Sequence, residues 1–302
     1  METDVKNLVI DADAHVVESA RTWDYMDPSE NQYRPIPLET REDAGVKQQF
    51  WVIDGKVRGF RFPAFSAAEL ERRSQQVGRK FAEAQESREL GNVDLRLEHM
   101  DETSVDIQVL HNTMFIESAT DRAAVEVALC ASWNRWLADI WRQGKGRLRW
   151  SCMAPTLSMP DALDQIRFAK DNGACAVLMR PVEGNRLLAD PYFYPIYDEA
   201  SRLNMAIAIH IANGNPWLSD LYNHPVRIAG TLHKFRIPTV GAFNDVVLSE
   251  IPQVFPELRW GFIEASSQWL PWVLHEAKNR FKTLGREWPE NFTRAYRMFV
   301  TC

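Results

Sequence analysis

The sequence predicts a (β/α)8 TIM-type barrel, and three observations lead there. Short, almost wholly apolar runs of strand length alternate with segments of helical period, as parallel strands buried on both faces require. Neither GxGxxG nor GxxxxGK[ST] follows the first strand, which removes dinucleotide-binding and P-loop sheets. Nearly every strand-like run ends in a polar or reactive residue: Asp13 and His15, His111, Arg180, His210, Glu264 and Thr301. A barrel gathers its chemistry at the C-terminal ends of all its strands, whereas an open sheet concentrates it at one switch point.

The elements follow in order. LVIDADAH (8–15) opens the barrel, and VDIQVLH (105–111), LRWSCM (148–153), ACAVLMR (174–180), MAIAIH (205–210), LRWGFIE (258–264) and MFVTC (298–302) continue it. The last run closes the sequence, so the expected barrel lacks its eighth strand. DRAAVEVALCASWNRWLADIWRQ puts Val125, Leu129, Trp136, Leu137, Ile140 and Trp141 on one broad helical face. Trp133, Trp136 and Trp141 read as core or subunit contacts. MPDALDQIRFAKDNG starts with Pro-Asp and stops at Asn172-Gly173. DPYFYPIYDEASRLN and SQWLPWVLHEAKNRF behave likewise.

Two excursions interrupt a single domain spanning 1–302. The first, at about 16–93, contains QQFWVIDGKVRGFRF, two alternating runs around Asp54-Gly55 that signal a hairpin, followed by a charged helical stretch from Glu69 to Leu90. The second, at about 211–238, carries NGNPWLSDLYNHPVRIAGTLHKF. Both leave from the catalytic face, so both are expected as pocket walls.

Composition excludes several functions. A net charge of −6 and no Lys/Arg stripe argue against nucleic acid. METDVKNLVI has no apolar core of a secretory signal, and no run reaches membrane-spanning length. Cys130, Cys152, Cys175 and Cys302 form no CxxC pair, and Cys152 and Cys175 sit in apolar runs where a reduced, buried thiol is expected. The expectation is a cytoplasmic protein.

Side chains alternate along a strand, so Asp11, Asp13 and His15 should share one face. Together with His210 from another strand end, Asp13 and His15 offer ligand types suited to a divalent ion. Asp11 is either a third ligand or an acid that closes the barrel or holds His15. His111 is expected to hydrogen-bond a neighbouring loop. Arg180, Arg58 and Arg61 are candidates to clamp a substrate carboxylate, with Arg180 best placed unless it pairs with Glu183. Trp217 and Trp269 are expected to line the pocket. His99, His275, His224 and His233 receive no role.

Through VIDADAHVVES, LEHMDETSVDIQVL, ASWNRWLADIWRQGKGRLRWSCMAP, GACAVLMRPVEGNRLLADPYFYPIYDEASRLNMAIAIHIANG and FPELRWGFIEASSQWLPWVLHEA, the chain resembles the amidohydrolase-related family that includes the aminocarboxymuconate-semialdehyde decarboxylase-like enzymes. The resemblance implies one divalent ion, zinc before manganese, held by Asp13, His15 and His210. It also implies two departures. The family's further metal-site Asp ends strand eight, and decarboxylating relatives carry a catalytic His at the end of strand six, where this sequence has Glu264. Arg180 stands where dinuclear relatives place a bridging lysine, which implies a single ion.

The expected function is a metal-dependent hydrolase acting on a small aromatic or conjugated carboxylic acid through a metal-activated water, with Glu264 moving the proton beside His210. The alternative within the same site is non-oxidative decarboxylation of such an acid. A third reading is an incomplete, non-catalytic barrel that needs a partner. A homodimer is the expected assembly.

Overall fold

The computed structural model describes residues 7–41, 47–61, 71–72, 74–76, 78, 85–222 and 232–301. Seven parallel strands form one sheet: β1 (Ile10–His15), β5 (Ile107–His111), β6 (Leu148–Met153), β7 (Ala174–Met179), β10 (Ala206–His210), β11 (Arg259–Ile263) and β12 (Met298–Val300), in that spatial order. The order follows the chain, as right-handed crossover units wound in one direction require. All seven expected strands are present in it.

The sheet curls strongly. From β1 to β10 a flat sheet would cover four inter-strand steps, roughly 19 Å. Yet the His15 and His210 ring centroids, at the ends of these strands, are 4.8 Å apart. The result is a half-barrel of TIM type with seven strands among the described residues. Among the described residues β1 and β12 are its two edges. The expectation that Leu8, Val9 and Ile10 are buried on both faces is corrected here. They stand 55%, 52% and 54% exposed, because no described strand covers that edge.

Alternation sorts the strand residues. Ile207, Ile209, Trp260 and Phe262 point outward into the main core beneath the helices, while Ala176, Ala208 and Ile263 form a small cluster of their own. On β10 this alternation puts His210 on the same side as Ala208. Helix Ala123–Gln143 packs on β6 and buries Val125, Leu129, Trp133, Trp136, Leu137 and Ile140, while Trp141 is only partly buried. Helix Met159–Asp171 starts with proline in its first turn and is capped at Asn172. Gly173 then turns the chain at φ +88, and a Cβ there would lie 2.2 Å from the Trp141 ring, so glycine is required twice over. Helices Val93–Glu102, Tyr194–Arg202, Ile237–Leu248 and Leu270–Thr283 also pack on the main core.

The hairpin is β3 (Lys47–Ile53) and β4 (Lys56–Arg61), joined to β2 (Ile36–Arg41) in a three-stranded antiparallel sheet, and β8 (Val182–Glu183) pairs with β9 (Arg186–Leu187) in a separate two-stranded one. Asp54 and Gly55 both take positive φ, 52° and 75°, the left-handed pair that lets a two-residue turn match the twist of its strands. Trp51 is buried edge-to-face against Trp23, 5.8 Å between centroids. At the other end Asp54 pairs with Arg122 at 2.5 Å, Lys56 with Asp121 at 3.5 Å and Arg58 with Asp220 at 3.8 Å. These partners lie after β5 and β10, so the hairpin sits over the C-terminal ends of the barrel strands. Of the charged stretch Glu69 to Leu90, much lies outside the described residues; its end forms the helical turn Gln85–Arg88.

Among the described residues no helix is long and apolar enough to cross a membrane. Cys130, Cys152 and Cys175 are free thiols, the first two buried, and Cys302 lies outside the described residues.

Candidate metal centre

One irregularity in β1 shapes the site. Asp11 pairs with Gln108 and Ala14 with Leu110, so β1 carries one residue more than β5 between those points. Such a bulge shifts the alternation by one position. Asp13 and His15 therefore share a face, whereas Asp11 goes to the opposite one, contrary to the expectation from plain alternation. There it accepts a hydrogen bond from Gln108 Nε2 at 3.0 Å, and Gln108 in turn accepts from Arg96 Nε at 2.7 Å. Arg96 also donates to the His15 carbonyl at 3.1 Å, so Asp11 is tied to the backbone that holds His15 instead of acting as a ligand.

The bulge frees the Ala12 carbonyl from the strand ladder, and His111 Nε2 donates to it at 2.9 Å. His111 Nδ1 faces the Ser151 hydroxyl at 2.9 Å. Burial, aided by the charges of His210 and His15, holds His111 well below an ordinary imidazole pKa, so it stays neutral. It is a bulge clamp within the sheet, not the loop contact expected.

Four side chains converge where β1, β10 and β11 end. His15 Nε2 and His210 Nε2 are 3.0 Å apart. Asp13 Oδ1 is 3.3 Å from His210 Nε2 and 3.7 Å from His15 Nε2. Glu264 Oε2 lies 3.3 Å from both imidazole nitrogens. All four ligand atoms fall within 4.8 Å of one another. Glu264 reaches in because its backbone takes the left-handed conformation, φ 63, with its N–H donating to Thr301 Oγ1 at 3.1 Å. A non-glycine residue held there stores strain, a mark of functional positions.

The donor set fits a divalent ion. His210 Nδ1 faces the Ile211 carbonyl at 3.1 Å, and a carbonyl only accepts, so the ring proton sits on Nδ1 and Nε2 presents a lone pair. Asp13 Oδ1 is buried without any hydrogen-bond donor. An orphaned carboxylate oxygen beside a bare imidazole nitrogen is unfavourable until a cation joins them. Nitrogen and oxygen ligands about 2.0–2.2 Å from one ion stand roughly 3.0–3.6 Å from each other, close to the spacings seen here.

Electrostatics points the same way. Burial pulls the His15 pKa down, but the hydrogen bond and charge of Glu264 and the charges of Asp13 and Glu18 outweigh it, leaving the pKa above 6.5. Burial pushes the Glu264 carboxyl up, but His15, His210 and Arg236 pull it further down, so it lies below the usual carboxylate range. Below that raised pKa, a proton on His15 offsets the Asp13 and Glu264 charges when no metal is bound.

The residues expected to meet substrate are placed differently from one another. Arg180 is a correction: it is 4% exposed, and its Nε and Nη2 donate to Glu183 Oε2 at 2.8 and 2.5 Å, with Glu126 at 3.6 Å. Its guanidinium is committed to two buried acids and has no fork to offer a substrate. Arg58 faces Asp220, and the side chain of Arg61 lies outside the described residues. Trp217 is 67% exposed on helix Pro216–Tyr222. Trp269 packs on Phe243 at 5.1 Å and donates to the Ala265 carbonyl at 3.0 Å. Sequence reasoning missed Thr113, which stands beside His15, and gave Glu18 no role. Their signal was position: Thr113 sits two residues beyond a strand end, and Glu18 three residues past His15.

A half-barrel with a histidine–carboxylate centre at its strand ends is the frame of metal-dependent hydrolases and lyases. The chain belongs to the amidohydrolase family, whose model matches residues 10–296. Among curated proteins none matches. Solved structures that share the fold include an amidohydrolase from Mycobacterium avium subsp. paratuberculosis, at 16% identity and TM-score 0.72, covering 98% of this chain and 82% of the other. They also include 5-carboxyvanillate decarboxylase from Sphingomonas paucimobilis, at 15% and 0.58, covering 97% and 80%. A third is 4-oxalomesaconate hydratase from Rhodopseudomonas palustris, at 15% and 0.55, covering 97% and 73%.

Proposed function

We propose that the chain is a metal-dependent hydrolase of a small aromatic or conjugated carboxylic acid, with Asp13, His15 and His210 holding one divalent ion, zinc before manganese, and Glu264 accepting the proton. The observation that carries this reading is the meeting of two imidazole Nε2 atoms and two carboxylate oxygens at 3.0–3.7 Å, with Asp13 Oδ1 lacking any donor. A divalent ion bound there supplies Lewis acidity, polarising a substrate oxygen and making a neighbouring water more acidic.

The chain's own residues do the rest. His210 is 1% exposed and locked by the Ile211 carbonyl, so it fixes one wall of the centre and keeps bulk water from that side. The Glu264 side chain is 48% exposed and stands at the open rim, where water reaches it. Flanked by His15 and His210, its carboxylate remains ionised and is a base. It takes the proton of the attacking water, whose oxygen bonds to the substrate's acyl carbon. The same proton then goes to the departing group as the old bond breaks. Arg58 and Trp217, on the hairpin and the second excursion, are the proposed contacts for the rest of the substrate, and Arg61 and Trp269 remain proposed as further ones.

Glu264→Gln keeps the shape and removes the base. Turnover should fall by on the order of 10² to 10⁴ while bound metal is retained; unchanged turnover would remove Glu264 from the chemistry. A second reading is non-oxidative decarboxylation, an activity that the names of two fold neighbours carry, the 5-carboxyvanillate and 2,6-dihydroxybenzoate decarboxylases. Release of CO₂ without incorporation of oxygen from labelled water would establish it over hydrolysis.

A further inference from the structure

Behind His15 lies a chain of contacts that no catalytic step above uses. Glu18 is 1% exposed, yet its carboxylate is fully engaged. Its Oε1 accepts from Thr113 N–H at 3.1 Å and Trp133 Nε1–H at 3.0 Å, and its Oε2 accepts from Met114 N–H at 3.0 Å. Both oxygens act as acceptors, so an amide would turn donors against a backbone N–H. The socket fixes the loop that follows β5, and with it the Thr113 side chain.

Thr113 is 3% exposed and makes two contacts through one hydroxyl. Its Oγ1 donates to the Val16 carbonyl at 2.7 Å and lies 3.4 Å from His15 Nδ1. A hydroxyl has a single proton, and a carbonyl can only accept. The proton is therefore spent on Val16, and toward His15 the oxygen has only lone pairs to offer. That requires a hydrogen on Nδ1 of His15, so the neutral ring, the form that binds a metal, presents its Nε2 lone pair toward His210, Asp13 and Glu264.

We infer that Thr113, held by the buried Glu18 carboxylate, is a positioning residue that sets the His15 tautomer and so makes Nε2 available to a metal ion. The inference rests on the metal reading proposed above. It parallels the general rule that a ligating imidazole is oriented by an acceptor at its other nitrogen, and that loss of the acceptor costs about 10–100-fold in metal affinity. His210 obtains the same service from the Ile211 backbone, which no substitution can remove, so the side-chain route at His15 is the one that can be tested.

Two variants separate the hydroxyl from the packing: Thr113→Val keeps the volume and loses the acceptor, while Thr113→Ser keeps the acceptor and loses a methyl. Zinc affinity, read by competition with a chromophoric chelator, should fall about 10–100-fold in Thr113→Val and return to within about threefold of wild type in Thr113→Ser. Histidine ¹⁵N shifts of the metal-free protein at pH 8.5 give a second readout that needs no metal. His15 should be protonated on Nδ1 in wild type and Thr113→Ser, and should shift toward the Nε2–H form in Thr113→Val. Wild-type affinity in Thr113→Val, failure of Thr113→Ser to restore it, or a wild-type His15 with no proton on Nδ1 would each overturn the inference. Absence of zinc binding by wild type would instead strike the metal reading, and the tautomer measurement would still decide the role of Thr113.

Discussion

Removing the guanidinium of Arg180 should damage stability and leave substrate affinity alone. Arg180 and Glu183 are 4% and 6% exposed, and the closest N–O distance between them is 2.5 Å. At an effective dielectric constant of about 20, unit charges at that separation attract by roughly 6–7 kcal/mol, against a desolvation cost of several kcal/mol per ion. Burial alone would lower the Arg180 pKa, but the charges of Glu183 and Glu126 hold it above its ordinary value. Burial drives the Glu126 carboxyl up to about 7 despite Arg180, so it can shed its charge when left alone, whereas Glu183 holds the closest contacts to the guanidinium, at 2.5 and 2.8 Å. Arg180→Met therefore strands mainly Glu183, and breaking a buried pair in this way costs about 3–5 kcal/mol. For a chain of this size that corresponds to roughly 5–8 °C in Tm. Urea denaturation at pH 8, followed by the unfolding free energy, is the assay. The double variant Arg180→Met/Glu183→Gln should recover most of the loss, because both charges are then absent. An unchanged urea midpoint together with a raised KM for a carboxylic acid would refute the reasoning and return Arg180 to the substrate.

The other predictions concern the centre itself. His210→Ala should strip the metal and the activity together, since two ligands and a half-exposed carboxylate hold a divalent ion poorly; equal metal content in wild type and variant by elemental analysis would refute the site. In the metal-free protein, the raised pKa of His15 means that its protonated form stabilises the fold. That contribution is fully present below about pH 6.5, the unfolded value, and is lost as pH rises through the higher folded value. Stability measured in chelator should therefore fall as pH is raised past 6.5, and the fall should shrink in Glu264→Gln, which removes the largest attraction on that proton; a flat profile in wild type would contradict it.

The sequence by itself determined the barrel and most of its centre. Buried parallel strands must be apolar along their whole length, so seven short runs separated by helical periods could be read directly, as could the Asp54-Gly55 turn, which needs two left-handed residues. Asp13, His15 and His210 were legible because strand ends in such a fold meet at one face, whatever the distance between them in the chain. Tertiary structure decided what pattern cannot encode. The bulge in β1 sent Asp11 to the other face, because one added residue reverses every side chain on one side of it. Arg180 was withdrawn from the substrate because Glu183 closes on its guanidinium while Glu126, remote in the chain, arrives on a packed helix beside it. Glu264 entered the centre through a left-handed backbone turn held by Thr301, and Thr113 reached His15 because Glu18 anchors its loop. Each of these depends on contacts between residues remote in sequence, whose separations in space are set only when the sheet curls.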